Sequence, residues 1–215
     1  MFVVTADQVD SRHDVDRAAA VVERLESAHR GALALPVDQT AGDEVQLVTA
    51  EAETALASVL DLTRSGRWSV GLGVGSVRTP LPDAARKATG DAFIAARDAV
   101  DAAKRDESRF ALRTRRTPET IVTAELVEPL LRMLLVARRR RSDQGWEVSD
   151  LMRSGHTQKE AAGILGITPA AVSQRLRAGL WRLDEEAQPA LVTLLRELDA
   201  TVSAANSAKG TEPSA

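Results

Sequence analysis

The spacing of apolar residues changes character part-way along the chain. In the first half, short apolar runs of strand type alternate with segments in which apolar residues recur every three to four positions. Phe2–Thr5 predicts a strand, and Val15, Ala18, Ala19, Val22 and Leu25 predict a helix over Asp14–His29. Leu33–Pro36 and Val45–Thr49 read as two strands joined by the turn-rich stretch Asp38–Asp43. Ala50–Thr63 predicts a second helix, ended by Ser65-Gly66. Trp68–Val77 reads as a strand with Gly71, Gly73 and Gly75 on one face. Bare positions at period two let another backbone, a helix or a ligand lie close against a sheet. Asp83–Lys104 predicts a third helix and Phe110–Thr114 a last strand. This β-α-β-β-α-β-α-β order predicts an α+β unit over residues 1–115.

Beyond Thr117-Pro118 the pattern is helical throughout. A connecting helix is expected within 116–145: Glu119–Arg141 carries Ile121, Val122, Leu126, Val127, Leu130, Leu131, Leu134 and Leu135, and ends in Arg138–Arg141. The arginine run reads either as a helix C-terminus favoured by the macrodipole or as a track for phosphates. A turn at Ser142–Gly145 precedes short helices to about Asp199, which make 146–202 a second, all-α unit. Leu191, Leu194, Leu195, Leu198 and Val202 form one helical stripe. Both long stripes either pack on that second unit or pair two copies about a two-fold axis, a homodimer. Residues 203–215, rich in Ala, Ser, Gly and Pro, are expected to be disordered.

Composition narrows the possible chemistry. At 215 residues the chain accommodates one large domain or two small ones. With no cysteine it can have no disulfide framework, thiolate zinc site or cysteine nucleophile. No stretch approaches the ~20 apolar residues of a membrane span, and no basic-then-apolar signal opens the chain, so a cytoplasmic location is expected. Tyrosine is absent and aromatics make up 3%, leaving the core to Ala, Val, Leu and Ile. Arginine outnumbers lysine 24 to 4, which reads mainly as the mark of a GC-rich genome. Net charge is −5 over residues 1–110, +6 over 111–182 and −4 over 183–215. The basic middle third suits a polyanionic partner or a solvated face. His13, His29 and His156 have no metal-ligand spacing, and Asp38, Asp43 and Glu44 suit either a solvated turn or a metal site.

Residues 157–179 carry the most specific pattern. Two helices joined by a tight turn need a small residue where they cross and a residue tolerant of positive φ between them. Ala162 and Gly166 supply these. Thr168 suits an N-cap and Pro169 the first turn that follows. Ile167, Val172 and Leu176 are expected to face Ala161, Ile164 and Leu165 as a core. Thr168, Ala170, Ser173, Gln174 and Arg177 then face outward, and no acidic residue occurs from Ile167 to Leu183. Small residues allow close approach to a groove, while Ser173, Gln174 and Arg177 can bond base edges or phosphates. Gln158 and Lys159, at the start of the first helix, are placed to meet the backbone. Thr157-Gln-Lys-Glu160 and Val172-Ser-Gln-Arg-Leu176 resemble sigma-factor region 4 and related bacterial helix-turn-helix regulators, over about Val148–Gln188. The resemblance implies a double-stranded DNA partner read by Gln158, Lys159, Thr168, Pro169, Ala170, Ser173, Gln174 and Arg177.

A looser resemblance covers about residues 1–115. Asp7 in Thr5-Ala-Asp7, Asp43 in Gly42-Asp-Glu44, and Thr89-Gly-Asp-Ala-Phe-Ile-Ala-Ala-Arg97 are similar to segments of class III nucleotide cyclases. With Gly71-Leu-Gly-Val-Gly75 between them, the combination resembles the SatD-like family. It implies a ferredoxin-like or cyclase-like sandwich, Asp7 and Asp43 as metal aspartates, Gln39 at the base-reading position and Arg97 as a transition-state cation. Mg²⁺ would enter only with a bound nucleotide; no cofactor is otherwise required. Phe93 stands where cyclases place a ribose-orienting Asn, and Asp10 replaces a small phosphate-approach residue. Those departures favour a non-catalytic unit that senses a ligand or dimerises. The expectation is a DNA-binding transcription regulator; the alternative is a metal-dependent nucleotide-binding or nucleotide-cyclising enzyme tethered by a helix-turn-helix.

Overall fold

A computed structural model describes residues 1–11, 17–40, 42–115 and 121–209. His13 and the predicted helix start at Asp14–Asp16, the Thr117-Pro118 boundary and residues 210–215 lie outside the described residues. The fold is α+β. Its five strands are β1 (Phe2–Gln8), β2 (Leu33–Gln39), β3 (Glu44–Thr49), β4 (Trp68–Val74) and β5 (Phe110–Thr114). They form one mixed sheet in the order β2-β3-β1-β4-β5. β1 is central and antiparallel to both neighbours, while β4 and β5 run parallel. Helices α1 (Ala18–His29), α2 (Ala52–Arg64) and α3 (Asp91–Ala103) connect the strands.

The two sheet faces are built differently. Phe2, Val4, Ala6, Val45, Leu47, Val70, Leu72, Val74, Phe110 and Leu112 point into the main core, against Val21, Leu25, Leu56 and Val59 of α1 and α2. The opposite face takes α3, and the glycine stripe is its seat. A Cβ on Gly71 would lie 2.3 Å from Val100 N, and one on Gly73 would lie 2.1 Å from Ala92 O. Of the three occupants that bare positions admit, a helix is the one present. α3 starts at Asp91, later than expected, because Gly90 (φ 144°) cannot continue a helix. Residues 85–87 form only a separate 3₁₀ turn.

The C-terminal part is helical: α4 (Ala124–Arg139), α5 (Asp143–Arg153), α6 (Gln158–Leu165), α7 (Pro169–Ala178) and α8 (Trp181–Lys209). Instead of only short helices to Asp199, α8 is one helix of 29 residues that accommodates Pro189 and continues past Ser203. The two long stripes pack neither on the α5–α7 core nor solely as a free dimer face. Val127, Leu131 and Leu135 of α4, with Leu191, Leu195, Leu198 and Val202 of α8, join the main core on the α2 side of the sheet. The aliphatic strands leave more apolar surface than α1 and α2 can cover, so burying both stripes there is favourable. The amino terminus pairs with Asp199 of α8, tying β1 to that helix. Ile121, Leu126, Leu130 and Met133 remain exposed.

A second, small core holds α5, α6 and α7 together: Val148, Ala161, Ala162, Val172 and Leu176, with Leu165, Ile167 and Trp181 against them. Ile164 does not belong to it; it is 57% exposed. Gly166 ends α6 at φ 64° and Thr168 caps α7 through Ala171 N. Thr157 caps α6 in a reciprocal box with Glu160, whose carboxyl is held below its ordinary range by hydrogen bonds from the Thr157 backbone and side chain. Thr157→Ala should cost about 1 kcal/mol, a fall in Tm of roughly 2–4 °C by scanning calorimetry.

Candidate functional site

α7 packs on α5, α6 and α8, and its remaining face is open. Thr168, Pro169, Ala170, Gln174 and Arg177 are exposed, as are Gln158 and Lys159 at the start of α6. Ser173 is half-buried. Ala170, Gln174 and Arg177 follow helical i, i+4, i+7 spacing and so share one face. A groove of about 640 Å³ brings Gln158, Ser173 and Arg177 together, and Arg182, which the sequence pattern does not single out, joins them. Glu185 and Glu186 line the same groove. Arg175, on the side of α7 toward α5, faces Glu147 at 3.7 Å.

Behind these helices lies a buried charge cluster. Asp184, at the start of α8, is 2% exposed and takes Arg138 (2.6 Å), Arg141 (3.0 Å) and Arg153 (3.2 Å) on one oxygen. Gln188 donates to the other at 2.9 Å. Burial alone would raise the Asp184 carboxyl, but the Arg138 charge and the hydrogen bonds outweigh it and hold the carboxyl below its ordinary value. Burial pulls the Arg138 guanidinium down, against the attraction of Asp184. Arg141 also donates twice to the Gly179 carbonyl, at 3.0 and 2.6 Å, clamping the α7–α8 turn where Leu180 sits at φ 51°. Trp146 is faced by Arg64, Arg138 and Arg141 with centroid distances of 4.3, 4.9 and 4.4 Å.

The run lies at the C-terminus of α4, as one of the two expectations had it, and the cluster corrects the other for two of its members. Arg138 and Arg141 are internal and cannot track phosphates, and they do more than meet a helix terminus. Arg139 donates to the Glu107 carbonyl, while Arg140 is exposed. Part of the basic middle third is therefore neutralised inside the molecule by the acidic segment that follows it. The exposed cations of the α6–α8 start are Lys159, Arg177 and Arg182.

No family model, curated protein or solved structure matches this chain.

In the sheet, the residues expected to take a ligand or metal lie at one end. β1 and β3 register places Glu44, not Asp43, opposite Asp7. Asp7 receives Lys104 Nζ at 2.9 Å, which raises the Lys104 pKa through that hydrogen bond. Glu44 is buried and receives Arg97 at 2.8 Å and Thr40 Oγ1 at 2.5 Å. Asp43 offers its carbonyl to Gln8 N, and Gln39 donates to the Gly42 carbonyl within the hairpin. Asp38 is taken by Arg86. Among the described residues no group of three or more His, Asp or Glu gathers as a metal set. Asp7 and the Glu44 that faces it are each held by a cation, Lys104 and Arg97.

Proposed function

We propose that this chain is a DNA-binding transcription regulator that reads duplex DNA through a helix-turn-helix formed by α6 and α7. The observation that carries the reading is the exposed, non-acidic face Thr168–Ala170–Gln174–Arg177 on a helix rigidly backed by α5, α6 and α8. An α-helix fits the major groove; Ala170 allows close approach, Gln174 offers one amide donor and one acceptor and Arg177 two donors to base edges, and Gln158 and Lys159 suit phosphates. Capping at Thr157 and Thr168 holds both helix starts in place without using those side chains.

The α+β layer, as a ferredoxin-like or cyclase-like sandwich, serves in this reading as a sensing or dimerising unit. Ion pairing of Asp7 with Lys104 and of Glu44 with Arg97 supports a non-catalytic role. The exposed Leu126, Leu130 and Met133 on α4 lie at i, i+4, i+7 and supply an apolar stripe for a homodimer, which would present two reading heads to a two-fold operator. Arg177→Ala and Gln174→Ala should each weaken specific binding by about 5- to 100-fold, or ~1–3 kcal/mol, in a salt-controlled mobility-shift assay. Their thermal unfolding should match the parent, since both side chains are exposed. Undiminished binding by both variants contradicts the assigned face.

A further inference from the structure

The apolar residues that α4 and α8 leave uncovered follow one spacing on both helices. On α4, Leu126, Leu130 and Met133 lie at i, i+4 and i+7, and Met133 is 71% exposed. On α8, Leu183, Ala187, Ala190 and Leu194 lie at i, i+4, i+7 and i+11, and Leu183 is 60% exposed. Such spacing repeats every 3.5 residues on average, the period of a seam that meets further helices. Leu130 and Met133 border the same open groove, of about 350 Å³, as the four residues of α8. Monomeric proteins rarely leave so continuous an apolar surface bare.

The groove has a ridge and a trough on the same face. Leu130 and Met133 are long side chains, while Ala187 and Ala190 beside them are short. A patch carrying both shapes is self-complementary, as a two-fold interface requires: the ridge of each copy fills the trough of the other. Charge agrees with this. Glu125 at the start of α4 and Arg140 at its end are exposed and form no ion pair among the described residues. In two antiparallel α4 helices crossing between Leu130 and Met133, Glu125 of one copy comes level with Arg139 and Arg140 of the other. Arg132, which meets its own copy near the axis, is already neutralised by Asp106 and Glu128. Both outer strands, by contrast, are blunted against pairing with a further strand. On β5 the Leu112 amide donates to Glu128 and the Phe110 carbonyl accepts from Arg132. On β2 the Val37 amide donates to Glu26, and Pro36 has no amide hydrogen to offer.

We propose that α4 and α8 together form the face on which a second copy of this chain packs antiparallel, with Leu130 and Met133 of each copy seated over Ala187 and Ala190 of the other. The inference rests on the homodimer of the regulator reading and names its surface and its sense; it does not depend on the DNA contacts. Leu180 and Leu183 extend this face to the α7–α8 turn that Arg141 clamps, so the interface ends beside the reading helix.

Sedimentation equilibrium of the purified protein over a wide concentration range tests it, and a monomer–dimer equilibrium is expected. Met133→Glu and Ala190→Glu, both at exposed positions, should each weaken association by about 10-fold or more while circular dichroism is unchanged. Glu125→Arg and Arg140→Glu should each weaken it by roughly 2- to 5-fold. The two charge changes combined restore opposite signs across the axis and should recover most of the parent affinity. Arg177→Ala should leave association unchanged, so loss of DNA binding and loss of the dimer are read separately. A chain that stays monomeric at every concentration leaves the groove to a different protein and overturns the inference. A dimer unmoved by Met133→Glu and Ala190→Glu, or no recovery in the double charge variant, overturns it equally.

Discussion

Asp184→Asn should unfold the chain at a temperature lower by on the order of 10 °C, a loss of about 3–5 kcal/mol. The substitution conserves volume, so the cost is electrostatic. Arg138 and Arg141 are almost fully buried and share this single carboxylate, with Arg153 adding a third guanidinium at the edge. Without the anion, two buried cations remain beside Trp146 with no counter-charge, and the clamp on the Gly179–Leu180 turn loses its anchor. Arg153→Ala should cost much less, because that side chain is about one-third exposed and its pair is screened. The acid side of the stability curve follows from the depressed Asp184 carboxyl. Its contribution is complete above the unfolded carboxylate value near ~3.9 and is lost as pH falls through the lower folded value. The Asn variant should therefore show a shallower acid-side slope in denaturant titrations across that window, and no new dependence near neutrality.

Gly73→Ala should be the other severe substitution, at about 3 kcal/mol or more, beyond the ordinary range of overpacked sites. Its methyl would sit 2.1 Å from Ala92 O and 2.3 Å from Ala96 N, both backbone atoms of α3. No rotamer change relieves such contacts; the helix must lift from β4. Gly163→Ala provides the opposite sign from the same chemistry. Gly163 lies inside α6 with open space around it, so the added methyl should stabilise by roughly 0.5–1 kcal/mol through helix propensity. Chemical denaturation of the two variants against the parent checks both signs.

The features legible in the sequence are those set by local chemistry. The order of strands and helices follows from period-two and period-3.6 apolar spacing, and the α6–α7 turn from Gly166, Thr168 and Pro169 placed where backbone geometry needs them. Three glycines at alternate positions announced a close approach, and α3 fills it. Features set by distant partners were not legible. The Arg138–Arg141 run looks like a surface feature until Asp184, 46 residues on, is folded beside it. A sequence signal did exist: Asp184 falls seven residues before Leu191 on the buried stripe of α8, and an acid on an apolar stripe needs a buried partner. Register decided the sheet end, where Asp7 meets Glu44 and Lys104 instead of Asp43. Nor could periodicity say which surface α4 and α8 cover, because a helical stripe encodes burial but not its partner.

The most direct measurement is to sequence the genomic DNA fragments retained by the purified protein at fixed, near-physiological salt. Enrichment of one short recurring sequence is expected, lost in the Arg177→Ala and Gln174→Ala variants while the phosphate-linked, sequence-independent background persists. Retention of fragments without any common sequence, or an identical enriched set from both variants, would contradict it.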